Sequence, residues 1–327
     1  MQLLGPAVTR EGVPCSVVVP VYGNAESVPD LVESLEGIAS RWPGMEAVFV
    51  IDGSPDDSAD RLRQRLAGSA MTWKIVHHSR NFGAFNAIRT GLGEASGRYI
   101  GVMAADLQEP PELMHEFFRT LGSGAADVVV GRRSSRDDGR SSDMGSRLFW
   151  AGYRRFVQPE IPAGGVDIFG CTAQVRDVLL AMHECNSSLV AQLYWVGFRR
   201  AEVPYDRQTR QVGTSGWTLR KKIRYLEDSV FSFTDLPIRA LWGVGTFGFL
   251  VSVLLAVVIL VARITNAITV PGYAATALIL LLAVAINCIG LGIIGSYVWR
   301  SYENTKRRPL AVISGREAGG ARENGEP

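Results

Sequence analysis

Over residues 15–131 the spacing of apolar positions keeps switching between strand-like and helix-like. Ser16–Val21 (SVVVPV) is a continuous apolar run of the kind expected for a strand buried on both faces of a parallel sheet. Asn24–Ile38 takes helical spacing, with Asn24 or Ser27 as its candidate cap. Ala47–Asp52 (AVFVID) predicts a second strand that ends in a carboxylate and a Gly-Ser turn. A helix over Asp57–Ala67, a strand over Trp73–His77, a helix over Phe82–Gly93 and a strand over Tyr99–Val102 follow. Helix Pro111–Leu121 and strand Asp127–Val130 complete the series. Strands alternating with helices of this length predict an α/β domain whose mostly parallel sheet is covered on both faces. Ligands of such sheets bind beyond the carboxyl ends of the strands.

The pattern changes near residue 237. Ala240–Ala262 and Tyr273–Val298 hold no charge over 23 and 26 consecutive residues. As helices, each is longer than the ~30 Å hydrocarbon core of a bilayer. The short link Arg263–Gly272 carries one basic residue, whereas Lys221, Lys222, Arg224 and Arg239 flank one side and Arg300, Lys306, Arg307 and Arg308 the other. The bias of basic residues toward the cytoplasm predicts a two-helix transmembrane hairpin in the cell membrane, with the N-terminal domain and both termini cytoplasmic. Asn287, Gly290, Gly292 and Gly295 suit close packing between the two helices. Trp217–Phe233 (WTLRKKIRYLEDSVFSF) mixes basic and aromatic residues at near-helical spacing, as an interfacial amphipathic helix does. Ser314–Pro327 is rich in glycine and charge and predicts disorder. The expected divisions are a tail over 1–14, the α/β domain over 15–216, the interfacial helix over 217–236, the hairpin over 237–300 and a disordered tail over 301–327.

Composition adds little. A hydrophobic share of 47% and a mean hydropathy of +0.11 reflect the C-terminal segments, and a net charge of +2 gives no reason to expect a nucleic-acid partner. Cys15, Cys171, Cys185 and Cys288 are scattered without a CxxC pair, against a zinc site or a disulfide framework. The first fourteen residues lack the apolar stretch of a signal peptide.

Candidate chemistry gathers at strand ends. Met103–Glu112 (MAADLQEPPE) follows the Tyr99–Val102 strand and sets Asp106 and Gln108 just past its end, before a Pro-Pro stop. Asp52 and Arg132–Arg133 fall at two other strand ends. This is how an α/β enzyme presents carboxylates and cations to a metal–diphosphate group. His77 and His78 alternate to opposite faces, which favours structural roles. Asp167 in GGVDIFG reads as a ligand-binding residue or a capping turn, and Asn186 or Ser187 in ECNSS as part of a ligand-facing loop or as a helix cap.

Taken in order, SVVVPVYGNAESV, FVIDGSPDDS, SRNFGAFNAIRTGL and MAADLQEPPE resemble family 2 glycosyltransferases, most of all the polyprenyl-phosphate type (dolichol-phosphate-mannose-synthase-like and bactoprenol-glucosyltransferase-like). The resemblance spans about residues 15–300. It implies a GT-A fold, a nucleoside-diphosphate sugar donor, Mg2+ or Mn2+, and a polyprenyl phosphate acceptor at the membrane; a homo-oligomer stays open. Position by position, it implies that Pro20, Tyr22, Glu26, Asp52, Arg80, Gly83 and Ala105 line the donor nucleotide. Asp106 and Gln108 match the metal motif, and Arg210, Gly213 and Ser215 an R-x-x-G-x-S segment over the active site. Asp106, Arg133 and Arg210 are the expected catalytic set, and Arg132, Arg133, Arg140 and Ser215 the acceptor-phosphate set. Three positions depart from the family: Ile51 and Ala104 stand where it has acidic residues, and Gly216 where many members have lysine. With only one carboxylate, the metal site is expected to form when the donor diphosphate is present. The rival readings are a non-catalytic scaffold of the same fold and a transferase with another acceptor. A processive polysaccharide synthase is disfavoured, because the chain has no QxxRW segment and too few membrane helices.

Overall fold

A computed structural model describes residues 14–133, 154–155, 159–162, 166, 168–207, 227–265 and 273–320. Its N-terminal half runs β1 (Cys15–Val21), a 3-10 turn, α1 (Val28–Arg41), β2 (Glu46–Ile51), α2 (Ser58–Leu66), β3 (Thr72–His78), α3 (Ala84–Glu94), β4 (Tyr99–Val102), α4 (Glu112–Gly122) and β5 (Val128–Arg133). These are the elements the apolar spacing predicts, shifted by a residue or two at most ends. Then follow β6 (Phe169–Thr172), α5 (Ala173–Ala181), α6 (Leu189–Trp195), β7 (Arg200–Tyr205), α7 (Leu236–Ile264), α8 (Tyr273–Thr305) and β8 (Ile313–Gly319).

The eight strands form one sheet in the order β7-β5-β6-β4-β1-β2-β3-β8. β1, β2, β3 and β4 are parallel neighbours, β5 and β7 pair parallel, and β6 and β8 run antiparallel to their partners. Alternation divides the strands between two apolar layers. Val17, Val19, Phe49, Ile75 and Val129 pack with α1, α2 and α4, while Val18, Val48, Val50, Val76 and Val128 pack with α3, α5 and α6. Helix α1 shows why its residues form a helix: Val28, Leu31, Val32, Leu35 and Ile38 repeat every three or four residues and all are buried. Pro29 fits its first turn, where the missing N–H costs nothing. Neither Asn24 nor Ser27 caps it with a side chain, because both serve the neighbouring loops instead.

Chain order reverses at β1, which lies between β4 and β2. That switch opens a crevice above the carboxyl ends of β1 and β4, where open α/β sheets hold ligands.

The C-terminal region corrects two expectations. The second long helix continues past residue 300 to Thr305, and the tail expected to be disordered instead supplies β8, an edge strand paired with β3. Pairing with an edge already in place satisfies the backbone of a segment too poor in apolar residues to signal itself. Of the residues expected at the helix contact, Gly290 lies against Leu241, while Gly292 and Gly295 have nothing near their Cα faces. Asn287 turns back to the Ala283 carbonyl of its own helix. Residues 227–233 are helical; the rest of the expected interfacial helix lies outside the described residues.

Candidate active site

Three loops meet over the crevice, and side chains tie them together. Leaving β1, the Gly23 amide donates to Ser54 Oγ and the Ala25 amide to Asp56 Oδ2, at 2.8 and 2.9 Å. Asp56 also accepts from the Ser54 and Ser58 hydroxyls. Burial works against ionisation of Asp56, but these hydrogen bonds outweigh it and hold the carboxyl below its ordinary value. Ser27 Oγ donates to the Ala105 carbonyl at 2.8 Å, which joins the β1 loop to the β4 loop across the switch point.

The β4 loop carries the expected metal ligands. Asp106 and Gln108 are both partly exposed, and the Gln108 amide lies 3.4 Å from Asp106 Oδ1. Between them Leu107 has φ +52, a left-handed backbone that a branched side chain rarely adopts. Arg207, two residues beyond β7, donates to Gln108 Oε1 at 2.5 Å. Sequence reasoning missed Arg207; its only signal was a basic residue just after a strand end. Among the described residues no three His, Cys, Asp or Glu side chains converge as a metal cage. Asp106 fits a hard divalent ion of the kind that takes most of its oxygens from substrate phosphates and water, whereas Gln108 Oε1 meets Arg207 and would have to exchange it for the ion.

Asp52 is placed differently from expectation. It ends β2 as predicted, yet it is only 2% exposed and its oxygens face the protein. Oδ1 accepts from the Phe82 amide and Oδ2 from the Gly83 amide, both at 2.8 Å. His78 Nδ1 lies 2.8 Å from Oδ1, and His78 Nε2 lies 2.9 Å from Thr90 Oγ1. Because a carboxylate only accepts, His78 Nδ1 donates in this contact, and Thr90 Oγ1 partners Nε2. Burial alone would raise the Asp52 pKa, but the His78 bond and the two backbone amides together lower it. The next residue, Gly53, has φ +60, and a Cβ there would sit 2.4 Å from the Arg80 carbonyl carbon. Asp52 and Gly53 therefore form the seat on which the Arg80–Gly83 turn rests. On the turn, Arg80 is exposed with its guanidinium 3.9 Å from the Phe82 ring centroid, and Gly83 opens α3 with φ +95. His77 points the other way, as alternation requires, to Glu317.

The remaining expected residues are distributed unevenly. Tyr22 and Glu26 are exposed on the β1 loop, Pro20 is partly buried in β1, and Ala105 is buried beneath the β4 loop. Arg132 and Arg133 end β5 on opposite faces. Arg132 pairs with Glu202 of β7 at 3.0 Å, and Arg133 lies on the layer shared with Tyr205 and the β4 loop. Arg140, Asp167, Arg210, Gly213, Ser215 and Gly216 lie outside the described residues. The helix cap expected at Asn186 or Ser187 is Ser188, whose Oγ accepts from the Ala191 amide at 3.3 Å.

The family description "Glycosyl transferase family 2" matches residues 16–181. A Bacillus subtilis protein bearing a glycosyltransferase name, CsbB, is 31% identical over 91% of this chain and 90% of its own. A bactoprenol glucosyl transferase of Shigella phage SfX is 28% identical over 92% of this chain and 99% of its own. A solved glucosyl-3-phosphoglycerate synthase from Mycobacterium tuberculosis, in complex with Mn2+, UDP-glucose and phosphoglyceric acid, is more distant. It is 16% identical, with a TM-score of 0.42 over 62% of this chain and 73% of its own.

Proposed function

The chain belongs to glycosyl transferase family 2, and from that premise we propose that it moves a hexose from a nucleoside-diphosphate sugar to polyprenyl phosphate, with inversion, at the cytoplasmic leaflet of the cell membrane. The observation that carries this reading is the position of Asp106. It stands on a kinked loop at the switch point, in a chain whose other half contains two helices long and apolar enough to cross a membrane. Relatives named bactoprenol glucosyl transferase align over at least 91% of the chain, which supports the lipid acceptor.

The transfer asks little acid–base work of the protein. A lipid phosphate with a second pKa of about 6 is already anionic near pH 7. Its oxygen attacks the anomeric carbon, the bond from that carbon to the donor's diphosphate breaks, and the electron pair leaves with the nucleoside diphosphate. Two anions must be held close and in line, and charge on the leaving group must be met. Arg133 and Arg207 approach the crevice from the ends of β5 and β7, and the planar guanidinium fork suits phosphate oxygens. Arg140, Arg210 and Ser215 are assigned to the acceptor phosphate by resemblance. The Arg80–Gly83 turn and the exposed Tyr22 face the nucleoside. Mg2+ or Mn2+ held by Asp106 and Gln108 would supply the remaining positive charge at the diphosphate.

The test uses the full chain in lipid nanodiscs with a short polyprenyl phosphate, Mg2+ and a panel of nucleotide sugars, read by mass spectrometry of the lipid product. Wild-type protein should form a glycosylated lipid phosphate. Asp106→Ala should lose about 100-fold or more in rate while melting within about 2 °C of wild type. If wild type and Asp106→Ala are equally inert with every donor, the scaffold reading replaces this one.

A further inference from the structure

We propose that β8 is a positioning strap for the donor turn, with Glu317 as its anchor: it fixes the end of β3 from which Arg80–Gly83 projects and ties that turn to the base of the second long helix. This rests on the reading of Arg80–Gly83 as part of the donor site.

Beyond ordinary sheet pairing, β8 makes specific contacts at the point where β3 gives way to the turn. The Ser79 amide donates to the Val312 carbonyl at 2.9 Å, and Ser314 Oγ donates to the His77 carbonyl at 3.2 Å. The pairing register shifts between His77 and His78, one step before the turn. Such irregularities re-aim the chain that follows them.

Glu317 gathers two elements at once. Its Oε1 lies 2.7 Å from His77 Nε2, and Arg63 of α2 donates Nε to Oε2 and Nη2 to Oε1, each at 2.8 Å. That bidentate fork fixes orientation as well as distance. Arg316 reaches the other flank, where its Nε donates to Glu94 Oε1 in the last turn of α3 at 2.9 Å. The strand entering the turn, the helix leaving it and the neighbouring α2 are thus all joined by one seven-residue segment. Asp52 holds the turn from beneath through Phe82 and Gly83, and β8 holds it from the side through Ser79.

The same segment follows the second long helix closely. Only residues 306–312 separate it from α8, whose base is fixed to the catalytic domain. Asn304 Oδ1 accepts from the Cys185 amide at 3.0 Å, and Arg300 donates to Asp228 at 2.9 Å. A shift of the helix base would therefore be felt at the turn.

The experiment compares wild type with Glu317→Gln, which keeps the side chain's shape and removes its charge, and with Arg63→Gln, which removes the bidentate partner. Two quantities are measured on the full chain: amide hydrogen exchange across Ser79–Gly83 without ligand, and steady-state kinetics with the active nucleotide sugar. Both variants should speed exchange at Ser79 by about tenfold. Both should raise the donor KM by about threefold or more, with kcat within about twofold of wild type. The proposal is overturned if exchange over residues 79–83 and donor KM both match wild type in folded variants. It is equally overturned if the melting temperature falls while KM stays put, since that is the mark of a merely structural contact. Should wild type use no nucleotide sugar, the proposed function fails, and the exchange measurement still judges the strap.

Discussion

Asp52 matches an acidic position that the resemblance sets beside the nucleotide, yet its carboxylate is enclosed by three donors from its own chain. Its effect on the donor is therefore indirect, through the turn it holds. Asp52→Asn replaces one acceptor by an NH2 group that must face an N–H donor, and it should cost about 1–3 kcal/mol in urea unfolding. The sign of the pH effect follows from the lowered carboxyl pKa in the fold. Such a group contributes stability above its unfolded pKa and loses it as pH falls through the folded one. The acid limb of the stability curve should therefore be shallower in Asp52→Asn than in wild type; superimposable limbs would show that the carboxylate carries no such linkage. Sequence alone placed Asp52, Asp106, Arg132 and Arg133 correctly at strand ends, because apolar runs mark where strands stop. It did not give their orientation. The three partners of Asp52 lie 26 to 31 residues further along the chain, so no local motif records them. Arg132 and Arg133 look equivalent in sequence, and alternation sends one to Glu202 and the other to the opposite face.

At the scale of elements, the N-terminal strands and helices were legible because each carries its own periodicity, whereas β8 was not. ISGREAG has one large apolar residue, and its partner strand lies about 240 residues earlier. An edge strand needs a partner's unpaired backbone more than it needs apolar side chains, and that requirement leaves no trace in its own residues. Its stability should carry an electrostatic signature. Arg63 foremost, and then His77, depress the Glu317 carboxyl to about 2, against a desolvation effect that works the other way. With the folded pKa below the ordinary value of 4.5, this contribution is complete above about pH 4.5 and is lost as pH falls toward 2. Hydrogen exchange at the β3–β8 pairing, corrected for intrinsic rates, should therefore show constant protection from pH 7 to about 5 and declining protection below. In Glu317→Gln the decline should be smaller; an unchanged decline would place the titration elsewhere.

For the whole molecule, β8 constrains how the chain can sit in a bilayer. It follows the second long helix, yet it pairs with β3, which precedes the first. If both helices cross a membrane, they must cross in opposite directions, because the strands at either end belong to one sheet. The basic flanks make the same demand independently, with Arg239 before the first crossing and Arg300, Lys306, Arg307 and Arg308 at the end of the second. Asn304 also accepts from the Cys185 amide of the α/β domain, so the hairpin base and that domain share a side. A fluorescent protein fused after Pro327 should therefore fluoresce in the cytoplasm, and alkaline phosphatase inserted within the link over 266–272 should be active outside it. The opposite pair of signals would keep the hairpin that the sheet demands and contradict the charge bias. A fluorescent C-terminus with inactive phosphatase in the link would leave α7 and α8 on one side of the membrane and remove the hairpin from the proposed mechanism.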